Sequence, residues 1–249
     1  MFARIPSRRA LAAVAKVRGL RLERRWPFLT RAAGKALNLG FDDLLELQWA
    51  RSRDFVIVVV GAYDGIENDP ISRFARSHPC RGVLLEPQPA VYDRLCANLA
   101  AFPNLQCVNA AIDEHSGERT MYSIRPGTGL PDWTEQIASF QREHVEKHES
   151  GASGLAKQII SQPIRTISFG DLIESHHLRH IDVLQIDAEG VDAQILQWFP
   201  FERIRPGLLH YEVAHMKDDE ERIVRERLTT FGYRVFVADA PTDAMAVRV

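Results

Sequence analysis

The chain has 249 residues, 45% of them hydrophobic, and a net charge of −2. That suffices for one sizeable domain with an apolar core, and so neutral a balance gives no global attraction to nucleic acid, which is not expected as a partner. The three cysteines, Cys80, Cys96 and Cys107, are too few and too scattered for a disulfide framework or a metal knuckle; they read as reduced thiols. No apolar run approaches the ~20 residues of a membrane span.

The neutral total conceals an asymmetry. Residues 1–35 hold ten Arg or Lys and a single acid, Glu23. Residues 1–50 read as a basic helical N-terminal segment, with Leu11, Val14 and Val17 on one face and Arg8, Arg9, Arg18 and Arg21 near them. A helical cap packed on the main domain is the favoured reading; an arm for anionic lipid or an acidic partner is the alternative. The basic start followed by Ala10–Ala15 is too short for a secretory leader and is broken by Lys16. The expected location is cytoplasmic, with a peripheral membrane contact if the arm reading holds.

Residues 51–249 alternate strands and helices. Val56–Val60 predicts a strand, and Asp69-Pro70 a helix start with Asp69 as N-cap. Gly82–Glu86 predicts a second strand, Pro89–Ala101 a helix, Leu105–Asn109 a third strand, and Glu118–Ile124 an extension of the sheet. Residues 126–163 interrupt the rhythm as an insertion, read as a polar helix, a Ser/Gly link and a short helix, of the kind that forms a lid or binding element. Helices at Ser168–His176, Val191–Trp198 and Asp218–Phe231 then alternate with strands at Val183–Ile186 and Gly207–Val213. Tyr233–Ala238 and Ala244–Val249 close the chain as an antiparallel hairpin. The pattern predicts an α/β fold: a doubly wound, mostly parallel sheet with one antiparallel edge strand, plus the N-terminal helical segment.

In such sheets ligands bind beyond the carboxyl ends of the strands. That rule selects Gly61, Ala62, Tyr63, Asp64 and Gly65 after the first strand, Glu86 after the second, Asn109 and Ala110 after the third, Asp187 and Glu189 after the fourth, and Glu212 and His215 after the fifth. Glu86 follows Gly61 at about the spacing of a ribose-binding acid. The glycine loop lacks the full G-x-G-x-x-G pattern, and Asp64 sits where a pyrophosphate disfavours an acid. A ligand with a ribose and a cationic group, and without phosphate, fits better, and S-adenosylmethionine is such a ligand.

The segments VVVGAYDG (58–65), LLEPQP (84–89), NAAI (109–112), IDVLQIDAEGVDAQIL (181–196) and LLHYEV (208–213) resemble, in order, the motifs of the FkbM-type methyltransferases. These are class I, Rossmann-like enzymes dependent on S-adenosylmethionine. The resemblance implies that Gly61, Ala62 and Gly65 admit the methionine end of the cofactor, that Glu86 binds its ribose, that Asn109 and Ala110 lie near the adenine, and that Asp187 lies beside the reacting centre. It also implies an acceptor-binding role for the insertion, where Trp133, Phe140, His144 and His148 stand, with Glu189 shaping the neighbouring turn. Two positions depart from the family pattern. The usual acid two residues before the first glycine is Val59, and a common lysine is Gln185; Asp64 is expected to take over part of the acid's role.

The resulting expectation is O-methylation of a hydroxyl on a sugar, glycan, glycolipid or natural product, with Asp187 as first candidate base, then Glu212 and His215. His210, Glu212 and His215 form a string that with Asp187 could hold a metal, but His210 lies in an apolar strand and no metal is expected. Two rival readings are a catalytically silent cofactor-binding scaffold and, less favoured, a nicotinamide-dependent reductase.

Overall fold

The computed structural model describes residues 40–66, 70–237 and 242–248. The proposed N-cap Asp69 and residues 1–39 of the basic segment fall outside the described residues. The element order is α1 (Phe41–Arg51), β1 (Val56–Val60), α2 (Pro70–Ala75), β2 (Arg81–Leu85), α3 (Pro89–Leu99), β3 (Leu105–Val108), β4 (Ala111–Ile112), β5 (Gly117–Ile124), β6 (Ala138–Ser139), α4 (Arg142–Glu146), β7 (Ile159–Ile167), α5 (Phe169–Ser175), β8 (Val183–Ile186), α6 (Asp192–Trp198), β9 (Leu208–Glu212), α7 (Asp218–Thr230), β10 (Tyr233–Val237) and β11 (Asp243–Arg248).

Seven strands form the main sheet in the order β10-β11-β9-β8-β1-β2-β3. β1, the central apolar run, pairs in parallel with β2 on one side and β8 on the other. Its residues are all buried, because helices cover both faces, the condition under which a parallel strand reads as a continuous apolar run. Val56, Val58 and Val60 face the core formed with α5, α6 and α7. Ile57 and Val59 face the opposite core, with Leu44 and Leu45 of α1, Ile71 and Phe74 of α2, and Leu95 and Leu99 of α3.

The antiparallel strand is not at the edge, as expected from the sequence, but one place in. β11 pairs antiparallel with both β9 and β10, and β10 forms the edge. The reason lies in composition: Ala244–Val247 is an uncharged run buried throughout, whereas β10 exposes Arg234. The more apolar strand takes the place flanked on both sides.

Residues 117–124 do not extend the main sheet. They pair with β7 and β6 in a second, four-stranded sheet, β4-β7-β5-β6. β7 is absent from the sequence reading because Pro163 interrupts its pattern. β4 pairs only with Thr166 and Ile167, so β7 has no neighbour on that side at Pro163, where a proline is tolerated. The insertion is built less of helix than expected: a 3₁₀ turn at Asp132–Glu135, β6, the five-residue α4 and further 3₁₀ turns. It carries its own small core of Ile124, Ile137, Val145, Ala152 and Leu155.

At the amino edge of the sheet, Asp182 gathers three donors: Gln48 Nε2 at 3.1 Å, Ser52 Oγ at 3.1 Å and the buried Val56 N–H at 2.9 Å. This ties α1 and the start of β1 to β8. Among the described residues no helix is long and apolar enough to cross a membrane.

Candidate functional site

The carboxyl ends of β1, β2 and β8 open into a cleft whose far wall is the second sheet and the insertion. Its empty space amounts to about 900 Å³, counting the solvent-open mouth. The near wall depends on Gly61. With φ +77° it turns the chain away from β1, and a Cβ here would stand 1.7 Å from the Asp187 carbonyl oxygen. Only glycine lets the ends of β1 and β8 approach so closely. The Gly61 and Ala62 N–H groups both donate to the Leu85 carbonyl, at 3.1 and 2.9 Å, which draws the loop over the end of β2.

Glu86 lies at that point and is 4% exposed. Its Oε2 accepts from the Tyr63 N–H at 3.1 Å and its Oε1 from the Gln88 N–H at 2.8 Å. Each oxygen keeps acceptor capacity beyond these bonds. Burial pushes the carboxyl up to about 7, against the opposing pull of those two amides. Asn109 braces the same corner by donating to the carbonyls of Glu86 and Pro87, at 2.8 and 3.1 Å.

On the other side, Asp187, Glu189, Asp192 and Glu212 gather acids around the ends of β8 and β9. Burial, then the nearby Asp187, pushes Asp192 up to about 8. Burial, then Asp187, Asp192 and Glu189, pushes Glu212 up to about 9. The Ala188 N–H donates to Asp192 at 3.4 Å and Ser139 Oγ to the Glu189 carbonyl at 3.1 Å, fixing the turn after β8.

Of the residues expected from the sequence, Gly61, Ala62, Tyr63, Glu86, Ala110, Phe140, Asp187 and Glu189 line the cleft. Asp64, Gly65, Asn109, Trp133, His144, Glu212 and His215 are not among its lining residues. Asp64 accepts from the Ile66 N–H at its Oδ1, 2.9 Å away. Gly65 packs on Leu95 of α3. Trp133 lies against Gly151. His144 and His215 reach Glu189 from outside, at 3.3 and 3.9 Å, and Glu212 contacts His215 at 3.6 Å. His210, one member of the weighed metal string, instead stacks on Phe41 at 4.1 Å.

Val59 and Gln185, the two departures from the family pattern, are register partners across β1 and β8. An acid and a lysine at these positions would be neighbours; here both charges are gone together, so neither leaves a buried charge unopposed.

Sequence reasoning passed over Gln88, Gln136 and Ser139, which line the cleft, and Asp192. Asp192 stood inside the quoted IDAEGVD run; its burial beside Asp187 is what marks it. Gln88 stood inside the LLEPQP run and Gln136 and Ser139 in the insertion; their place on the cleft wall is what marks them.

Several known proteins resemble this chain. A solved precorrin-6y C5,15-methyltransferase from Geobacter metallireducens GS-15 is 14% identical, over 88% of this chain and 93% of that one, with a TM-score of 0.43. A methyltransferase FkbM from Methylobacillus flagellatus KT is 10% identical, over 78% of this chain and 43% of that one, with a TM-score of 0.47. An O-methyltransferase from Bacillus cereus, solved in complex with SAH, is 13% identical over 100% of this chain and 93% of that one, with a TM-score of 0.41. No curated protein matches the chain in sequence. The sequence model of the methyltransferase FkbM domain matches residues 60–235. With that match covering most of its length, the chain belongs to the FkbM methyltransferase family.

Proposed function

We propose that the protein is an S-adenosylmethionine-dependent O-methyltransferase acting on a hydroxylated small molecule or glycan. One observation carries the cofactor reading: the described cleft lining holds three carboxylates, Glu86, Asp187 and Glu189, and no Lys, Arg or His. The described lining offers no cationic side chain to a dinucleotide's phosphates, which speaks against the nicotinamide reading. A ligand with a ribose, an ammonium and a sulfonium suits it.

Glu86 is the residue to accept the ribose hydroxyls, since its two backbone bonds fix the carboxylate without exhausting it. The Gly61–Tyr63 backbone, narrowed by the absent Cβ at Gly61, lies beside the methionine end, and Asp187 faces it from β8. When bound, the cofactor supplies a methyl group already activated by its sulfonium. The protein's work is then alignment and exclusion of water. Phe140 and Met121 supply an apolar wall, and Gln88, Gln136 and Ser139 offer hydrogen bonds suited to an acceptor with several hydroxyls.

The acceptor's proton needs a base. Glu212, raised to about 9, is protonated at neutral pH and is poorly suited to that task. Burial and the Lys147 charge lower the His215 pKa, leaving a neutral imidazole able to accept, but His215 stands outside the cleft. Asp187, on the cleft wall, is the assigned base.

The test is incubation of purified protein and a metabolite extract with isotopically methyl-labelled cofactor, read by mass spectrometry. Label should enter a hydroxyl-bearing product and fall at least ~100-fold in Asp187→Asn. Label at nitrogen or carbon refutes the O-directed reading. Cofactor binding without any labelled product supports the silent-scaffold reading instead.

A further inference from the structure

Beside the cleft, four side chains from three parts of the chain converge. His144 lies in α4, and His148 lies one turn later, in the 3₁₀ segment Lys147–Ser150. Glu189 lies in the turn after β8 and His215 in the loop after β9. One nitrogen or oxygen from each lies within 4.8 Å of all the others. His144 Nε2 is 3.3 Å, and His215 Nε2 3.9 Å, from the same Glu189 Oε2. Tetrahedral zinc, with bonds of about 2.0–2.1 Å, holds its ligand atoms about 3.3 Å apart, so these separations are already close to that geometry. The rings approach from different directions: His215 stands edge-on to His144 (89°, centroids 4.7 Å apart) and to His148 (89°, 6.1 Å).

Without a cation the cluster is incompletely satisfied. Glu189 partners His144 and His215, but His148 Nε2 is buried with no hydrogen-bond partner. We propose that His144, His148, Glu189 and His215 form a binding site for one divalent cation of the zinc type, fastening the insertion to the carboxyl edge of the sheet. Three imidazoles favour zinc over magnesium or calcium. Four protein ligands complete a tetrahedron, the mark of a structural site. Two ligands come from the insertion and two from the sheet edge, so the ion closes the loop between them.

Lys147 competes with the ion. Its Nζ is 3.1 Å from His215 Nδ1, and its charge faces Glu189 and Glu212. Cation binding displaces this ammonium toward solvent. Removing it therefore strengthens binding, which separates this site from an ordinary lysine–carboxylate pair.

The test uses the full chain stripped with a chelator and titrated with zinc chloride by calorimetry, with thermal melting and the visible spectrum of the cobalt(II) form as further readouts. Expected are one equivalent bound with a dissociation constant on the order of micromolar or tighter, a raised melting temperature, and the strong visible bands of tetrahedral cobalt. His148→Ala, at a partly exposed position, should weaken binding by at least ~100-fold, and His215→Gln likewise; Lys147→Ala should tighten it. His176→Ala/His177→Ala, which removes a separate surface histidine pair, should change nothing. Absence of saturable binding overturns the proposal, as does binding that survives His148→Ala and His215→Gln or vanishes in the surface pair variant. The result is independent of methyl transfer: an inactive protein that binds zinc in this pattern leaves the site standing.

Discussion

Replacing Glu86 by Gln separates the charge of this side chain from its shape. In the ligand-free protein burial raises the carboxyl from 4.5 to about 7, which corresponds to about 3 kcal/mol of penalty on the charged form. Because the folded pKa is the higher one, this stability is fully present below pH 4.5 and is lost as the pH rises through 7. Under the proposed ribose assignment, the cofactor's hydroxyls donate to the ionised carboxylate, so cofactor binding draws on the charged form. Affinity for S-adenosylmethionine should therefore rise about tenfold from pH 6 to pH 8 and level off above that. Glu86→Gln removes the titration and at least one hydrogen bond to a charged group, worth about 1.5–3 kcal/mol. It should weaken binding roughly 10- to 150-fold at pH 8 and flatten the pH slope. Its amide also presents N–H toward either the Tyr63 or the Gln88 N–H, so a lower melting temperature at acid pH is expected. Isothermal titration at four pH values, for both proteins, measures this; the difference between the two slopes isolates Glu86 from other titrating groups. A folded Gln variant with wild-type affinity and slope would refute the ribose assignment.

Three further substitutions probe the frame. Gly61→Ala places a methyl group 1.7 Å from the Asp187 carbonyl oxygen at φ +77°; it should cost at least ~2 kcal/mol in urea unfolding and abolish cofactor binding, and an unchanged unfolding midpoint would show that the two strand ends separate freely. Asp182→Ala strips three donors at the opposite edge and should cost about 3 kcal/mol in unfolding free energy while cofactor affinity, where folded, stays within about twofold; a large affinity loss would contradict the spatial separation. Glu212→Gln mimics the neutral form of a carboxyl held at about 9. Since the unfolded carboxyl ionises near 4.5 while the folded one holds its proton up to about 9, wild type loses stability across that whole window; this variant should match it in thermal melts near pH 4, exceed it already at pH 7 and most near pH 10, and equal losses in both proteins would refute the shift.

Much of the frame was legible because the sheet is buried on both faces. β1 and β8 came out at the same residues as read from sequence, since apolar runs bounded by polar residues leave little choice. The carboxyl-edge rule likewise selected Gly61, Glu86 and Asp187 before any contact was visible. What escaped depended on partners distant in the chain. β7 hides behind Pro163, whose tolerance rests on the shortness of β4. The places of β10 and β11 follow from their relative burial, which a hairpin pattern does not reveal. Val59 and Gln185 read as two separate departures; only the register makes them one paired change. His148 and His215, far apart in sequence, meet because the insertion folds back on the edge.

The contacts of Asp182 also bear on the order in which the chain folds. The Val56 N–H at the head of the central strand waits for a carboxylate 126 residues later, and β1 gains its second neighbour only when β8 arrives. An N-terminal fragment ending before residue 182 thus lacks both the lock on α1 and the wall that faces Gly61. Closure of this long loop is entropically costly and tends to slow folding. During synthesis, the central strand stays an open edge until β8 has been made, and a ligand seated between the ends of β1 and β8 can assist folding only after that point.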